Sequence, residues 1–266
     1  MATSRAAKEN SCENADECEF PCINNAQFLQ SGVENKMCMI GAPWQLLVGW
    51  KFLQGLNLRF IDGIIWEDVL WCEAIFAHAE CIALVCKKLL KYRVRSGATS
   101  GFENAPKKSL PPFVAPLTRH FSDTNEAWGY FSAYSWAVSL AEFDALCSGL
   151  SNTHGEGFAS EFCQLFAPYI IKNTLALFEF KRDPYGVKGE TARLLGRLAE
   201  QISLEKELKK RCKLIKLANG NAFERLCYFM LKIAWALKSA PKQAYKFQKR
   251  VINKTIKAVR RALGRG

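Results

Sequence analysis

The alternation of apolar and polar positions divides the chain into two textures. Before about residue 95 the apolar stretches are short and interrupted. Residues 37–40, 56–60 and 64–65 are short apolar stretches of mixed texture, alternating with turn signals at Gly41-Ala42-Pro43, Gly55 and Asp62-Gly63. Helical spacing predicts a short helix at 26–33 and another at 68–79, and 81–86 reads as a short strand. From residue 121 the pattern is helical almost throughout, with helices expected over 125–148, 157–180, 188–218, 222–238 and 242–263. Asp183-Pro184-Tyr185-Gly186 is a turn signal, and Asn219-Gly220-Asn221 suits a helix C-terminus. Ser239-Ala240-Pro241 places Pro in the first turn of the last helix. The expected class is α+β and predominantly helical. The expected organisation is a polar lead-in (1–20), a mixed segment (21–100), a Ser/Gly/Pro-rich linker (101–120), a helical region (121–187) and a basic helical extension (188–266).

Composition narrows the classes. The chain has 266 residues, 49% of them apolar and 12% aromatic, too hydrophobic for disorder throughout and ample for a core. The longest uncharged apolar run, 127–141, falls short of the roughly 18–20 residues that a spanning helix needs. The first 20 residues carry five acids and lack the pattern of a secretory signal. Eleven cysteines occur, with no C-x-x-C pair. Cys12, Cys18 and Cys22 cluster, but no His-rich or Cys-rich partner motif follows to complete a zinc site. Most of the others lie in apolar segments and read as small buried side chains in a reducing cytoplasm.

Charge sharpens the division. The net charge is +12. Residues 181–266 hold 23 Lys and Arg against 6 Asp and Glu, a balance of +17, whereas 1–180 hold 14 against 19, a balance of −5. Within 242–263, at about 100° per residue from Phe247, the residues Val251, Ile252, Ile256, Val259 and Leu263 fall on one half of the helix. Lys246, Lys249, Arg250, Lys254, Lys257 and Arg260 fall on the other, and no acid follows Pro241. That is the pattern of a helix lying in an anionic membrane interface through 241–266. A helix packed on its own domain with its cations in water also fits. A nucleic-acid arm fits less well, because it needs no clean apolar half and no nucleic-acid module is recognisable.

The stretch that carries chemistry runs from Ala42 to Ser96. Glu67-Asp68 follows an apolar run and opens a predicted helix. Carboxylates at a helix N-terminus are stabilised by the dipole and by free backbone N–H groups. Such a carboxylate can take a proton from a hydroxyl, although the same pair also suits a helix cap beside an ordinary acid. Trp44 and Trp66 suit sugar stacking or a buried core equally. Arg93 and Arg95 suit either a diphosphate or a structural ion pair.

Taken in order, Pro43-Trp44, Lys51-Phe52-Leu53, Leu58-Arg59-Phe60 with Gly63, Ile64 and Glu67-Asp68, and then Tyr92-Arg93-Val94-Arg95-Ser96 resemble family 2 glycosyltransferases of bacterial capsule, lipopolysaccharide and exopolysaccharide synthesis. The resemblance covers about 21–100. It implies a GT-A-like catalytic domain and hexosyl transfer from a nucleotide sugar to a glycan or lipid-linked acceptor hydroxyl. By that resemblance Asp68 is the general base, Glu67 places the acceptor, Trp44 and Trp66 bind sugar, and Arg93 and Arg95 meet the donor phosphates. The family also implies a divalent metal, Mg2+ or Mn2+.

The chain departs from the family at Gln45, Leu47 and Leu90-Lys91. It also lacks the family's nucleotide-binding motifs: the Asp-Asp-Gly-Ser turn and the Asp-x-Asp metal motif do not occur. Asp123 and Asp144 are isolated and are not assigned as metal ligands, so no metal-binding residue is predicted. The expectation is an acceptor-side half of such an enzyme, on the inner face of the cytoplasmic membrane; a split gene that supplies the donor side as a separate N-terminal half, a frameshifted gene or an alternative start would each account for it. On that basis the isolated chain should not transfer sugar. The alternative is a non-catalytic helical protein that docks on a membrane or a partner.

Overall fold

The computed structural model describes residues 22–35, 37, 42–83, 85, 89–91 and 110–238, with the side chains of 233–238 left aside. The predicted lead-in at 1–20, most of the linker, the Tyr-Arg segment and the basic helix at 242–263 lie outside the described residues.

The protein is predominantly helical. Among the described residues eight α-helices follow one another: α1 (Asn25–Glu34), α2 (Trp50–Leu56), α3 (Glu67–His78), α4 (Thr124–His154), α5 (Glu156–Thr174), α6 (Lys188–Gln201), α7 (Lys206–Asn219) and α8 (Ala222–Lys238). The sheet among the described residues is a two-stranded antiparallel ribbon, β1 (Cys22–Ile23) against β2 (Ile82–Ala83), with Cys22 opposite Ala83. A parallel GT-A-type sheet is therefore absent among the described residues. The tract 56–60 is not a strand, because Leu56 ends α2 and Asn57 turns the chain at φ +48°. Residues 64–65 lead into α3 rather than pairing with a neighbour. Of the strand expected at 81–86, Ile82–Ala83 is a strand, and residues 84 and 86 lie outside the described residues.

Local chemistry sets the helix starts. Asn24 Oδ1 accepts from the Gln27 N–H at 2.8 Å while Gln27 Oε1 accepts from the Asn24 N–H at 2.9 Å, a reciprocal capping box for α1. Asp123 Oδ1 accepts from the Glu126 N–H at 2.8 Å and starts α4. Asn221 and Glu224 form a second capping box, which starts α8.

The spine is the antiparallel hairpin of α4 and α5. Gly155 joins them in a single residue at φ +87°, a conformation that side chains with a Cβ rarely adopt. Leu140, Phe143 and Leu150 from α4 meet Phe162, Phe166 and Ile170 from α5 in one core. Leu29 of α1, Leu70 and Cys72 of α3, and Leu195 and Leu198 of α6 join that same core. A second cluster forms around Tyr130 and Phe131. The Tyr130 hydroxyl donates to Asp183 Oδ1 at 2.7 Å and accepts from the Tyr185 N–H at 3.2 Å, which anchors the expected 183–186 turn.

The helix expected over 188–218 is two helices. The chain breaks at Ile202–Glu205, where Ile202 is buried. Gln164 of α5 satisfies the broken backbone: its Oε1 accepts from the Ser203 N–H at 2.7 Å and its Nε2 donates to the Gln201 carbonyl at 3.4 Å. The helix expected over 157–180 likewise ends at Thr174 and tightens into a 3-10 turn, Leu175–Glu179.

The cysteines also depart from expectation. Cys22 is disulfide-bonded to Cys81 beside the ribbon, and Cys147 to Cys163 across the α4–α5 hairpin. Cys72 and Cys212 are free and buried, as expected, and Cys227 is free and half-buried.

Candidate functional site

The acidic pair lies where the sequence places it, at the first two positions of α3. Three contacts fix the approach to it. The Asp62-Gly63 turn, with Gly63 at φ +75°, reverses the chain. The Ile65 N–H then donates to the buried Ser135 hydroxyl at 3.1 Å, and that hydroxyl donates to the Phe131 carbonyl at 2.9 Å. Phe60 stacks on Trp71 at 4.9 Å between ring centroids, which ties the Leu58-Arg59-Phe60 tract to the α3 surface.

Trp66 caps the helix in an unusual way. Its backbone is left-handed, at φ +66° and ψ 23°. For a bulky residue this conformation costs on the order of 1–3 kcal/mol, and such strain concentrates at functional positions. Tertiary contacts hold it there. The indole Nε1 donates to the Ser132 hydroxyl at 3.1 Å, and the ring stacks on Trp136 with centroids 6.2 Å apart. The left-handed turn swings the chain so that Glu67 and Asp68 begin the helix directly after a clamped indole.

Asp68 is half-buried. Burial pushes its carboxyl above the usual range, and the backbone N–H groups of Asp68 and Val69 partly oppose that shift. A carboxylate raised in this way is a better proton acceptor than an exposed one. One turn on, burial pushes the Cys72 thiol up to about 12, with the charges of Asp68 and Glu73 acting in the same direction. Cys72 is therefore a protonated structural thiol and not a nucleophile. Glu73 is completely buried, and neither carboxyl oxygen has a hydrogen-bond partner among the described residues.

The expected residues are thus only partly assembled. Trp66, Glu67 and Asp68 are contiguous at one helix start. Trp44 stands on a separate 3-10 turn, Pro43–Gln45, and is 51% exposed, which removes the buried-core reading for it. Trp66 is part of the packing around both cores, so its indole face is already engaged. Arg93 and Arg95 lie outside the described residues. Asp123 is the α4 cap, and Asp144 pairs with Arg197 at 2.7 Å, so both have structural employment.

The resemblance implies Mg2+ or Mn2+, whose ligands the sequence does not place in this chain. Such hard cations take several oxygen ligands. Among the described residues, no group of three or more His, Cys, Asp or Glu converges in a way that could hold an ion. No described helix is long and apolar enough to cross a membrane.

Sequence reasoning did not single out Glu73, the Ser132–Ser135 pair or the histidines at the far ends of α3 and α4. Glu73 carried one signal, a lone acid in the middle of an otherwise apolar helix. The serines carried none, because their role depends on which strands of chain lie beside α4. No family model, no curated protein and no solved structure matches this chain.

Proposed function

We propose that this chain forms the acceptor side of a family 2 glycosyltransferase, with Asp68 as the base. The observation that carries the reading is the strained, clamped Trp66 turn that presents a half-buried Asp68 at the start of α3. In the reaction, the acceptor oxygen bonds to the anomeric carbon while the bond from that carbon to the nucleoside diphosphate breaks. The acceptor proton passes to Asp68, and Glu67 orients the acceptor from the adjacent position. Trp44, half-exposed on its 3-10 turn, is the aromatic that this reading assigns to sugar binding. The donor side comes from a separate N-terminal half, and the complex acts at the inner face of the cytoplasmic membrane.

The test is transfer from a panel of nucleotide sugars to a lipid-linked acceptor. The full chain is assayed alone and with a recombinant family 2 nucleotide-binding half. Transfer is expected only in the mixture, and Asp68→Asn should lower kcat by about 100-fold or more while the circular-dichroism spectrum still shows the folded helical protein. A wild-type rate for Asp68→Asn, or no transfer in either arrangement, sinks the reading.

One observation favours docking as a second reading. On α8, Phe223 is 69% and Phe229 59% exposed, with Leu226 exposed between them. At about 100° per residue these three share one arc of the helix. The preceding α7 bears Lys206, Lys209, Lys210, Arg211, Lys213 and Lys216, and 241–266 adds a cationic half in the sequence. Apolar anchors beside cations suit an anionic lipid surface. The full chain should co-sediment with vesicles in proportion to their phosphatidylglycerol content and release as salt rises. Phe223→Ser with Phe229→Ser should weaken binding several-fold. Binding that ignores lipid charge, salt and both substitutions overturns this reading and leaves α8 as a surface for the chain itself or a protein.

A further inference from the structure

Histidine is scarce in this protein. Three occur in 266 residues, and the fold brings two of them together from positions 76 residues apart. His78 is the last residue of α3 and His154 the last of α4. His154 Nε2 lies 3.3 Å from His78 Nδ1. The rings are tilted by 44° with centroids 5.4 Å apart, so they are not stacked and it is the nitrogen edges that meet. Phe158, one turn into α5, packs against the His154 ring at 5.0 Å and limits its rotation.

We propose that His78 and His154 form a two-imidazole site for a divalent transition-metal ion of the zinc, nickel or copper class, which bridges the C-terminal ends of α3 and α4. The nitrogen separation is the bite such an ion takes. With metal–nitrogen bonds of about 2.1 Å, a 3.3 Å separation corresponds to a nitrogen–metal–nitrogen angle of roughly 104°, close to tetrahedral. Both helices point their carbonyl ends at the site, and the partial negative charge there favours a cation.

The rest of the coordination sphere is water. Glu80 and Glu156 lie two residues beyond each histidine, but no third His, Cys, Asp or Glu joins the pair among the described residues. Two imidazoles and water select intermediate transition metals over Mg2+ or Ca2+, which prefer oxygen. The site is therefore distinct from any donor-phosphate cation. It sits ten residues along α3 from Asp68, about 15 Å at 1.5 Å per residue. Its physical effect is to pin α3, the helix that carries the acidic pair, to the central hairpin.

The probe is zinc, added to the full chain with its histidine rings labelled by nitrogen-15. His120, whose Nε2 accepts from the Arg119 Nε–H at 3.0 Å on another part of the surface, is the internal control. Zinc should shift the ring resonances of His78 and His154 at one equivalent and leave His120 in place. His154→Gln, at an exposed position, should abolish the His78 shift and lower the zinc affinity at this site at least tenfold, whereas His120→Gln should change neither. If the His78 and His154 rings do not respond to zinc in the unsubstituted chain, the pair is a simple imidazole–imidazole hydrogen bond and the proposal fails. It fails equally if the His78 shift survives His154→Gln.

Discussion

Phe162→Ala is expected to lower the unfolding free energy by about 3–5 kcal/mol, the usual cost of removing a fully buried phenylalanine. Phe162 is 1% exposed at the centre of the α4–α5 hairpin. Its ring lies 5.8 Å from Phe143, 4.8 Å from Phe166 and 6.3 Å from Phe158, so truncation removes dispersion contacts to three rings at once. The surroundings are poorly placed to close over the gap. The next residue, Cys163, is cross-linked to Cys147 of α4, and Leu140 and Ile170 are held in the same core from both helices. A site that cannot collapse keeps its cavity and sits toward the upper end of the range. Urea unfolding should show a lower midpoint with an unchanged slope. Phe158→Ala, which truncates a half-buried ring at the edge of that core, should cost distinctly less. A loss below about 1 kcal/mol at Phe162 would mean that the hairpin is not packed as described.

Glu73 should behave in the opposite sense. It is 0% exposed and neither carboxyl oxygen finds a hydrogen-bond donor. An unsatisfied buried polar group costs about 1–3 kcal/mol. Glu73→Met, close in volume and without polar oxygens, should recover that amount at neutral pH. The pH dependence gives a sharper signature. Burial pushes the Glu73 carboxyl well above its ordinary value near 4.5, so the folded protein keeps a proton that the unfolded chain releases. Between the unfolded and folded values the native state binds more protons, and stability falls as pH rises. Below the unfolded value the favourable contribution is complete, and it is lost as pH climbs toward the folded one. The advantage of Glu73→Met over the native chain should therefore widen as pH rises above the ordinary carboxyl value near 4.5 and level off once the folded-state carboxyl ionises, with a slope of at most about 1.4 kcal/mol per unit. Asp68, also raised by burial, tilts stability the same way, and His78, lowered by burial, tilts it the opposite way near its ordinary value of 6.5. Both are common to the two proteins and cancel in the difference. A pH-independent difference would show that Glu73 is paired or hydrated.

These two residues illustrate what could be read in advance. Phe162 lies in a predicted helix with apolar neighbours at helical spacing, so its burial follows from pattern alone. Glu73 lies in a helix that was equally legible, but its isolation depends on which faces of α4 and α1 cover α3. The candidate site divides in the same way. Glu67 and Asp68 were recognisable as carboxylates opening a helix. The left-handed Trp66 before them was not, because an indole has no intrinsic preference for that conformation. Ser132 and Trp136, some 65 to 70 residues later in the chain, hold it there.

By itself, the sequence determined the helical character, most of the helix starts and the position of the acidic pair. Those features arise within one or two turns of chain: Asn24, Asp123 and Asn221 cap their own helices through side chains that reach only three residues. Tertiary structure alone decided the remainder. The break at Ile202–Glu205 exists because Gln164, from a different helix, satisfies the freed backbone and Ile202 gains a place in the core. The short apolar stretches near residue 60 found their place by side-chain packing: Phe60 stacks on Trp71 of α3, and Ile65 is buried with Ala127 and Phe131 of α4. The His78–His154 pair exists only because two helices, distant in sequence, end at the same point. Short-range hydrogen bonds and turn preferences are written locally along the chain, whereas burial and convergence are properties of neighbours that the chain acquires only by folding.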